Sequence, residues 1–293
     1  MRVNLSGKAR RIIKNYNHNI VNGSYNLEEV DCLCGGTNKM PFSLYDRYGF
    51  WHRTVLCEQC GLIYANPRPT KEVIFDMYSN GNYREVYGPV KKVEKAYQDH
   101  LDNSAYILMD VFESLEGRIA DFDTVFEFGC GGGWNLENFR SMGMKVSGCD
   151  LDPNMIDMGV KRGFDLEVGS FEVMGSKNFD IIILNHVVEH FFNFWDDMKR
   201  IIGSLGSNGI LYVAAPNSLV YNPGRMQNVH NYYFKISNLR YFISMLGFEA
   251  INYGHMFNFQ DFFCVFERAD CSAMSALYSE KENFKEFLVK IGK

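Results

Sequence analysis

Short apolar runs alternate with helical spans between residues 123 and 267, and this alternation restricts the fold more than any other feature of the chain. The runs predict strands at 124–128, 145–149, 165–168, 180–184, 209–214, 248–253 and 261–267. Helices are predicted at 134–141, 195–205 and 237–246, and Asp152-Pro153 is typical of an N-cap followed by a first helical turn. The pattern predicts an α/β fold with a doubly wound, mostly parallel seven-stranded sheet, because such strands are buried on both faces.

A glycine-rich turn follows the first predicted strand, and it contains Gly129, Gly131 and Gly133. Glycine lets the chain turn sharply and lets backbone N–H groups approach a ligand at the carboxyl end of the strand. Asp150 ends the second strand, roughly 20 residues later, where an acid accepts both hydroxyls of a ribose. Glu127 points toward the same crevice. A carboxylate is unfavourable beside phosphates but suits a cationic amino group, so the turn does not indicate a pyrophosphate ligand.

Four segments together resemble the successive motifs of class I S-adenosylmethionine-dependent methyltransferases. They are residues 125–134, 148–153, 179–190 and 209–217, which occur in order at suitable spacing. The resemblance implies S-adenosylmethionine as the cofactor, and family members commonly have an acid where this chain has Ser170. It further implies that Gly129, Gly131 and Gly133 line the methionine end, with Asp150 at the ribose, Leu151, Ser170 and Phe171 around the adenine, and Asn185 beneath the sulfonium.

Four of the eight cysteines form a group near the N-terminus: Cys32, Cys34, Cys57 and Cys60. Cys57 and Cys60 have the C-x-x-C spacing of a zinc knuckle, and 22 residues separate the two pairs. Only one residue lies between Cys32 and Cys34, so Asp31 is an alternative fourth ligand. Without a secretory segment near Met1, thiolate ligands in a reducing, cytoplasmic compartment are favoured over disulfides. We therefore predict a small Cys-rich module with structural zinc, and a degenerate, metal-free site is the alternative.

The order of a Cys-rich ribbon, a tyrosine-rich segment and the methyltransferase motifs is similar to bacterial methyltransferases of sugar and surface-glycan pathways, including sugar C-methyltransferases. Those proteins carry E-H-x-x-Y-F late in the chain, and this sequence keeps the histidine as His230 but has Val229 in place of the glutamate. The resemblance implies a carbohydrate or nucleotide-sugar acceptor. We predict His230 as the general base, with His190 and Tyr83 as further catalytic candidates. The acceptor pocket is expected to be walled by Tyr78, Tyr83, Tyr87, Tyr232 and Tyr233.

Residues 186–190 also fit the H-x-x-E-H pattern of some zinc peptidases. That pattern needs both histidines on one helix, whereas this segment directly follows a predicted strand and begins in a loop. A peptidase is therefore disfavoured, and the plainer interpretation of Glu189 and His190 is that they fix this loop.

Charge and hydropathy indicate which partners the chain is expected to lack and where its units begin and end. The net charge of −5 argues against a nucleic-acid partner, and no run approaches the roughly 20 apolar residues that a membrane helix needs. Residues 1–27 carry only basic charge and are expected to be a solvated arm, with binding of an anionic partner or organelle targeting as alternatives. The predicted units are the arm (1–27), the zinc-ribbon-like module (28–69), a helical, tyrosine-rich linker and lid (70–119), the methyltransferase domain (120–268) and a C-terminal helix (269–293).

Two functions compete with methylation of a sugar. One is O-methylation of an aromatic or quinone-type small molecule, which a similar core performs, commonly without an N-terminal ribbon. The other is a non-catalytic module that binds the cofactor and a macromolecular partner. The sequence leaves the acceptor, the methylated atom and the oligomeric state open.

Overall fold

The computed structural model describes residues 5–87, 93–101, 104–175, 177–220, 225–257 and 259–269. Its helices are α1 (Gly7–Val21), α2 (Lys71–Ser79), α3 (Asn82–Tyr87), α4 (Val93–Leu101), α5 (Ala105–Ser114), α6 (Leu136–Ser141), α7 (Pro153–Val160), α8 (Phe194–Gly203) and α9 (Ile236–Ser244). Its strands are β1 (Leu27–Glu28), β2 (Lys39–Tyr45), β3 (Trp51–Cys57), β4 (Ile63–Ala65), β5 (Arg68–Pro69), β6 (Thr124–Phe128), β7 (Lys145–Asp150), β8 (Asp165–Val168), β9 (Phe179–Asn185), β10 (Leu205–Pro216), β11 (Tyr232–Tyr233), β12 (Phe248–Met256) and β13 (Asp261–Arg268). The C-terminal helix predicted at 269–293 falls, apart from Ala269, outside the described residues.

A seven-stranded sheet in the order β12-β13-β10-β9-β6-β7-β8 forms the centre of the protein. The five strands from β10 to β8 are parallel, and β13 and β12 close one edge in antiparallel pairs. This arrangement confirms the predicted fold class. After β6 the chain builds outward through β7 and β8 and then returns to β9 on the other side of β6. The carboxyl ends of β6 and β9 therefore flank the point where the strand order reverses, which is where open α/β sheets bind ligands.

Alternating side chains of the central strands supply two cores, one on each face of the sheet. Ile182 and Leu184 pack into one apolar cluster, and Ile181 and Ile183 pack into the other, all with no exposed surface. Successive side chains of a strand point to opposite faces, so a strand covered on both sides must be apolar throughout. This burial fixes the strand register, and with it the position of every residue at the strand ends.

The Cys-rich module has a four-stranded sheet in the order β11-β4-β3-β2. Its edge strand β11 comes from residues 232–233, far beyond the predicted module boundary at residue 69, and Tyr232 pairs with Tyr64 while Tyr233 pairs with Ile63. Cys32 and Cys57 also belong to one of the two cores of the central sheet. The module is therefore joined to the domain of the central sheet through a shared sheet and a shared core.

The expectation of a solvated N-terminal arm is wrong for residues 7–21, which form α1. Ser6 caps this helix by accepting a hydrogen bond from the Ala9 N–H at 3.0 Å. Ile13, Tyr16 and Ile20 face inward and pack in a cluster with Phe50. The basic side chains lie on the opposite, exposed face of α1, so the charge of the segment concealed an apolar stripe at helical spacing.

The described parts of residues 70–119 are mainly helical, as expected, and the tyrosine-rich stretch includes the short helix α3 and is not simply a break. Within the part of the chain that the structure describes, none of the helices combines the length and apolar character required to cross a lipid bilayer.

Candidate active site

The turn between β6 and α6 forms a crevice with the end of β7. Gly129 and Gly131 have φ of 63° and 53°, a left-handed conformation that favours glycine. The Gly131 N–H donates to Asp150 Oδ2 at 3.0 Å, and the Asp152 N–H donates to Asp150 Oδ1 at 2.8 Å. A carboxylate oxygen has a second acceptor site, so Asp150 is held in place and still able to accept hydroxyl groups. The third predicted glycine, Gly133, completes this turn.

Glu127 lies at the base of the crevice with no exposed surface. Its Oε1 accepts a hydrogen bond of 2.6 Å from the Asn135 side chain, and its Oε2 has no partner among the described residues. Burial raises the pKa of Glu127 to about 8, and the nearby Asp150 adds to this rise. A buried carboxyl group with one free oxygen is a site for a cationic group, because such a partner offsets the cost of burying the charge.

The other residues predicted around the cofactor occupy three neighbouring strand ends. Leu151 follows β7 and is half exposed, and Phe171 packs on Phe128 with ring centroids 5.2 Å apart. Ser170 follows β8, and its backbone N–H donates to Glu172 Oε1 at 2.9 Å. Asn185 ends β9, so it lies at the reversal of strand order. The crevice thus combines a polar floor, one exposed apolar side chain and one aromatic wall.

A second feature, a cavity of about 320 Å³, lies beyond the loop that follows β9. The three predicted catalytic residues Tyr83, His190 and His230 all line it. The remaining lining residues are mostly polar or charged: Arg47, His186, Glu189, Pro216, Arg225, Gln227, Gln260 and Asp261. We name this feature the acceptor cavity.

His190 and His230 meet edge to face in the acceptor cavity, with ring centroids 4.7 Å apart. His190 Nδ1 is 3.1 Å from the Val229 carbonyl, and because a carbonyl only accepts, this nitrogen is the donor. His230 Nδ1 is buried and has no hydrogen-bond partner among the described residues. Burial lowers the pKa of His190, and it lowers that of His230 well below the usual value. Both rings are therefore neutral near pH 7.

Glu189 lies beside these histidines, 1% exposed, and neither carboxylate oxygen has a hydrogen-bond partner in the described chain. Its Oε1 is 3.6 Å from His186 Nδ1; burial alone would lower the pKa of His186, but the Glu189 carboxylate raises it overall. Glu189, His190 and His230 place ligand atoms within 4.8 Å of one another, a donor set that also suits a divalent transition metal. His186 is not part of this group, so the two-histidine arrangement of a zinc peptidase is not formed.

The predicted tyrosine wall is only partly formed. Tyr83 lines the cavity and stacks between Tyr78 and Tyr87, at centroid distances of 4.6 and 4.8 Å. Tyr87 instead donates its hydroxyl to Asp46 at 2.7 Å. The side chains of Tyr232 and Tyr233 are buried within the shared sheet and core and do not line the cavity.

The four N-terminal cysteine sulfurs form a compact group in the module. Sγ–Sγ distances are 3.5 Å for Cys32–Cys60, 3.5 Å for Cys32–Cys34 and 3.6 Å for Cys34–Cys57. Tetrahedral zinc with bonds of about 2.3 Å separates its sulfurs by about 3.8 Å, so the spacing fits the metal closely. The Gly36 N–H points at Cys34 Sγ at 3.3 Å, as in a knuckle that stabilises thiolates. The exposed Asp31 lies outside this group, and Cys32 supplies the fourth sulfur.

The charged lining of the acceptor cavity is the part that sequence reasoning missed. Arg47, Arg225 and Asp261 come from three distant segments, and none belongs to a recognisable motif. The one available signal is the turn Asp46-Arg47-Tyr48-Gly49, which indicates a tight connection within the module but no site.

Comparison with known proteins identifies the family of the domain that contains the crevice. A family model described as a methyltransferase domain matches residues 97–263. A curated relative from Mycolicibacterium smegmatis, a probable S-adenosylmethionine-dependent methyltransferase, is 24% identical over 147 residues, which are 48% of this chain and 57% of that protein. This chain thus spans only a little over half of the length of that relative.

Solved structures of methyltransferases are similar over about two thirds of the chain. The 1,6-didemethyltoxoflavin-N1-methyltransferase of Burkholderia thailandensis has a TM-score of 0.47 at 16% identity, covering 68% of this chain and 87% of its own. An S-adenosylmethionine-dependent methyltransferase from Archaeoglobus fulgidus has a TM-score of 0.47 at 15% identity, covering 65% and 100%. The family model alone spans more than half of the sequence, and the protein therefore belongs to the family of methyltransferase domains.

Proposed function

We propose that this protein transfers the methyl group of S-adenosylmethionine to a hydroxylated acceptor, a carbohydrate or nucleotide-sugar, in glycan biosynthesis. The observation that carries the proposal is one loop that serves both features of the site. Asn185 begins this loop at the crevice, and Glu189 and His190 continue it into the polar acceptor cavity. A donor bound at the strand ends would therefore present its reactive group to the cavity.

The residues of the crevice suit each part of this cofactor. Asp150 offers free acceptor sites for the ribose hydroxyls, and Glu127 offers a buried carboxylate for the amino group of the methionine portion. When bound, S-adenosylmethionine supplies an electrophilic methyl group on a sulfonium. Displacement at that carbon is in line, so the main task of the protein is alignment, worth on the order of 7–11 kcal/mol of barrier.

His230 is placed to remove the proton of the acceptor. Its ring is neutral at pH 7 and its Nδ1 is unpartnered within the described chain, so this nitrogen is available to a hydroxyl group in the cavity. Burial raises the pKa of the Tyr83 phenol, which keeps this group a hydrogen-bond donor and lets its ring position the acceptor. A positioned base of this kind contributes about 10²–10⁴-fold.

The lining of the cavity favours a sugar over the aromatic or quinone-type acceptor. Most of the described lining side chains carry hydrogen-bonding groups, and among these described residues Tyr83 is the single aromatic carbocycle. A flat apolar acceptor would leave many of these groups desolvated and unpaired, at about 1–3 kcal/mol each. The non-catalytic alternative gives no role to the base and the carboxylate that meet in the cavity.

Structural zinc in the Cys-rich module is part of the proposal. The four sulfurs fit the tetrahedral geometry, and a cytoplasmic, reducing environment would keep them available as thiolates. The metal would hold the Cys57 end of the β2–β3 hairpin, whose opposite end is the turn that carries Arg47.

Two measurements test the proposal in sequence. Calorimetry with S-adenosylmethionine should show binding by the wild-type protein and by Asp157→Asn, an exposed control on α7, and much weaker binding by Asp150→Asn. A screen of sugar, nucleotide-sugar and phenolic acceptors with methyl-labelled cofactor should then transfer label to a hydroxylated sugar. No binding of the cofactor contradicts the enzyme function, and labelling of phenols alone contradicts the acceptor class.

A further inference from the structure

We infer that the acceptor cavity binds an anionic group of its ligand, a phosphate or a carboxylate, through the guanidinium of Arg47. This inference rests on the proposed function, because it narrows the acceptor to an anionic hydroxylated molecule. It also assigns a direct binding role to the Cys-rich module, from which Arg47 comes.

The turn between β2 and β3 holds Arg47 in place through its neighbour Asp46. The Asp46 carboxylate is 6% exposed and accepts the backbone N–H groups of Tyr48 at 2.8 Å and Phe50 at 2.9 Å. Its other oxygen accepts the Tyr87 hydroxyl at 2.7 Å and the Asn228 N–H at 3.2 Å. This buried carboxylate accepts hydrogen bonds from four donors in three segments. The turn that carries Arg47 is therefore held more firmly than the turn of a solvent-exposed hairpin would be.

A direct bond also ties this turn to the segment that carries the base. The Arg47 N–H donates to the Met226 carbonyl at 3.0 Å, four residues before His230. The guanidinium lies over the Tyr48 ring at 4.8 Å and the Tyr87 ring at 5.8 Å. Stacking leaves the edge of the guanidinium, where its N–H donors lie, free to face a ligand.

Arg47 is a cation without a partner of opposite charge in the described chain. Its Nε is buried and makes no hydrogen bond there, although the cavity it lines also contains two carboxylates. Those carboxylates have cationic or titratable neighbours of their own. Glu189 faces His186 at 3.6 Å, and the charge of Arg225 acts on Asp261. A buried donor of a permanent charge costs free energy unless a ligand satisfies it.

The guanidinium also selects the chemistry of the ligand. Its planar fork of donors matches the oxygens of phosphate and carboxylate groups in a bidentate fashion. A sugar phosphate, a nucleoside diphosphate sugar and a uronic acid all present such a group beside free hydroxyls. The inference is that one of these groups sits at Arg47 while a hydroxyl reaches His230.

Calorimetry on the full-length, zinc-containing protein, saturated with S-adenosylhomocysteine, tests the inference. The probes are inorganic pyrophosphate, glucose 1-phosphate, UDP-glucose, glucuronate and neutral glucose. At least one anionic probe should bind, and Arg47→Gln should weaken that binding about 10- to 100-fold. Arg11→Gln, which removes an exposed arginine from α1, is the matched control and should leave the affinity unchanged. Arg47→Lys should recover part of the loss because it restores the charge without the fork.

The outcomes separate the sources of the anion and the two proposals. Binding of pyrophosphate and the phosphorylated probes supports a phosphate group, and binding of glucuronate alone supports a carboxylate. If no anionic probe binds, or if Arg47→Gln binds it as tightly as the wild type does, the inference is wrong. The affinity for S-adenosylmethionine, measured on the same preparations, reports folding of each variant. Failure of the cofactor to bind the wild type would contradict the proposed function, whatever the anionic probes do.

Discussion

The crevice and the acceptor cavity adjoin each other but are built in different ways. The crevice takes its polar residues from consecutive strand–turn units, β6 to β9, of a single sheet. The cavity takes its lining from the β2–β3 turn, α3, the loop after β9, the end of β10, the segment before β11 and the start of β13. The crevice therefore forms from neighbouring turns of one sheet. The acceptor cavity forms only when segments of the Cys-rich module and of the central-sheet domain meet.

Because of this difference, we expect cofactor binding and acceptor binding to respond differently to changes elsewhere in the protein. Turns at the ends of parallel strands are positioned by the buried sheet itself, so a cofactor site there needs few additional contacts. A cavity assembled from six segments depends on every contact that joins them. We therefore expect the cofactor affinity to survive changes that abolish acceptor binding.

Removal of zinc is the strongest way to separate the two regions. Binding of structural zinc is worth about 10–16 kcal/mol in small zinc-finger peptides, so its loss should unfold the Cys-rich end of the β2–β3 hairpin and loosen the opposite end, which carries Arg47. Cys57→Ser, or treatment with a strong chelator, should abolish acceptor methylation while S-adenosylmethionine still binds in calorimetry. Glu58→Gln, an exposed change between Cys57 and Cys60, is the control. Full turnover without metal would contradict the proposed role of the module.

Substitution of the base tests the chemistry of the cavity alone. His230→Gln should lower kcat by about 10²–10⁴-fold, because it removes proton transfer, and should leave the cofactor affinity unchanged. His18→Gln, exposed on α1, serves as the control. Activity within about a factor of three of the wild type would exclude His230 as the base. A requirement for added Mn²⁺ or Zn²⁺ that the variant loses would assign His230 to a metal site instead.

Substitution of Asp150 tests cofactor binding in the crevice alone. Asp150→Asn keeps the shape of the side chain but removes the charge that strengthens its bonds to ribose hydroxyls. We expect the Kd for S-adenosylmethionine to rise about 10- to 100-fold. The affinity for acceptor analogues should stay constant, and a parallel loss of both affinities would show that the two regions are not separate.

Tyr233 tests the contact between the two parts of the protein. Its hydroxyl lies 2.7 Å from His52 Nε2 and donates to the Gln227 carbonyl at 2.9 Å. Tyr233→Phe leaves buried polar groups unpaired, which should lower the free energy of unfolding by about 1–3 kcal/mol in a urea titration. The KM for the acceptor should rise more than the Kd for the cofactor, whereas equal changes would argue against a local effect on the cavity.

The smallest predicted effect concerns the pH dependence of cofactor binding. Glu127 has a pKa of about 8 in the free protein, so it is mostly protonated at pH 7 and must lose its proton to pair with an ammonium group. Affinity should therefore increase about fivefold from pH 7 to pH 8, with close to one proton released per cofactor at pH 7. Calorimetry in buffers of different ionisation enthalpy measures that release. Proton uptake, or an unchanged release in Glu127→Gln, would contradict this account.

The sequence predicted the crevice better than the cavity, for a physical reason. The alternation of strands and helices places Asp150 and the glycines at the same edge of the sheet before any tertiary contact is known. The structure brings Tyr83, His190 and His230 together at the cavity, as the motifs suggested. Arg47 could not be anticipated, because no periodicity relates residue 47 to residue 230, and their proximity depends on the packing of the module.

Two further segments differ from their sequence-based expectations for similar reasons. The first 27 residues carry only basic charge, but the spacing of Ile13, Tyr16 and Ile20 indicates one buried helical face. The aromatic rings of Tyr232 and Tyr233 suit a sugar pocket by residue type alone. In the structure these two residues pair with β4. A strand of two residues is too short for its sequence pattern to predict such a long-range pairing.

The pairing of β11 with β4 has a consequence for how the protein is made and how it can be divided. Until residue 233 has left the ribosome, β4 presents an open edge to any other extended chain. A fragment ending at residue 69 would carry that bare edge permanently and would tend to self-associate. Any shortened or fused version of this protein must therefore keep the two distant segments in one polypeptide.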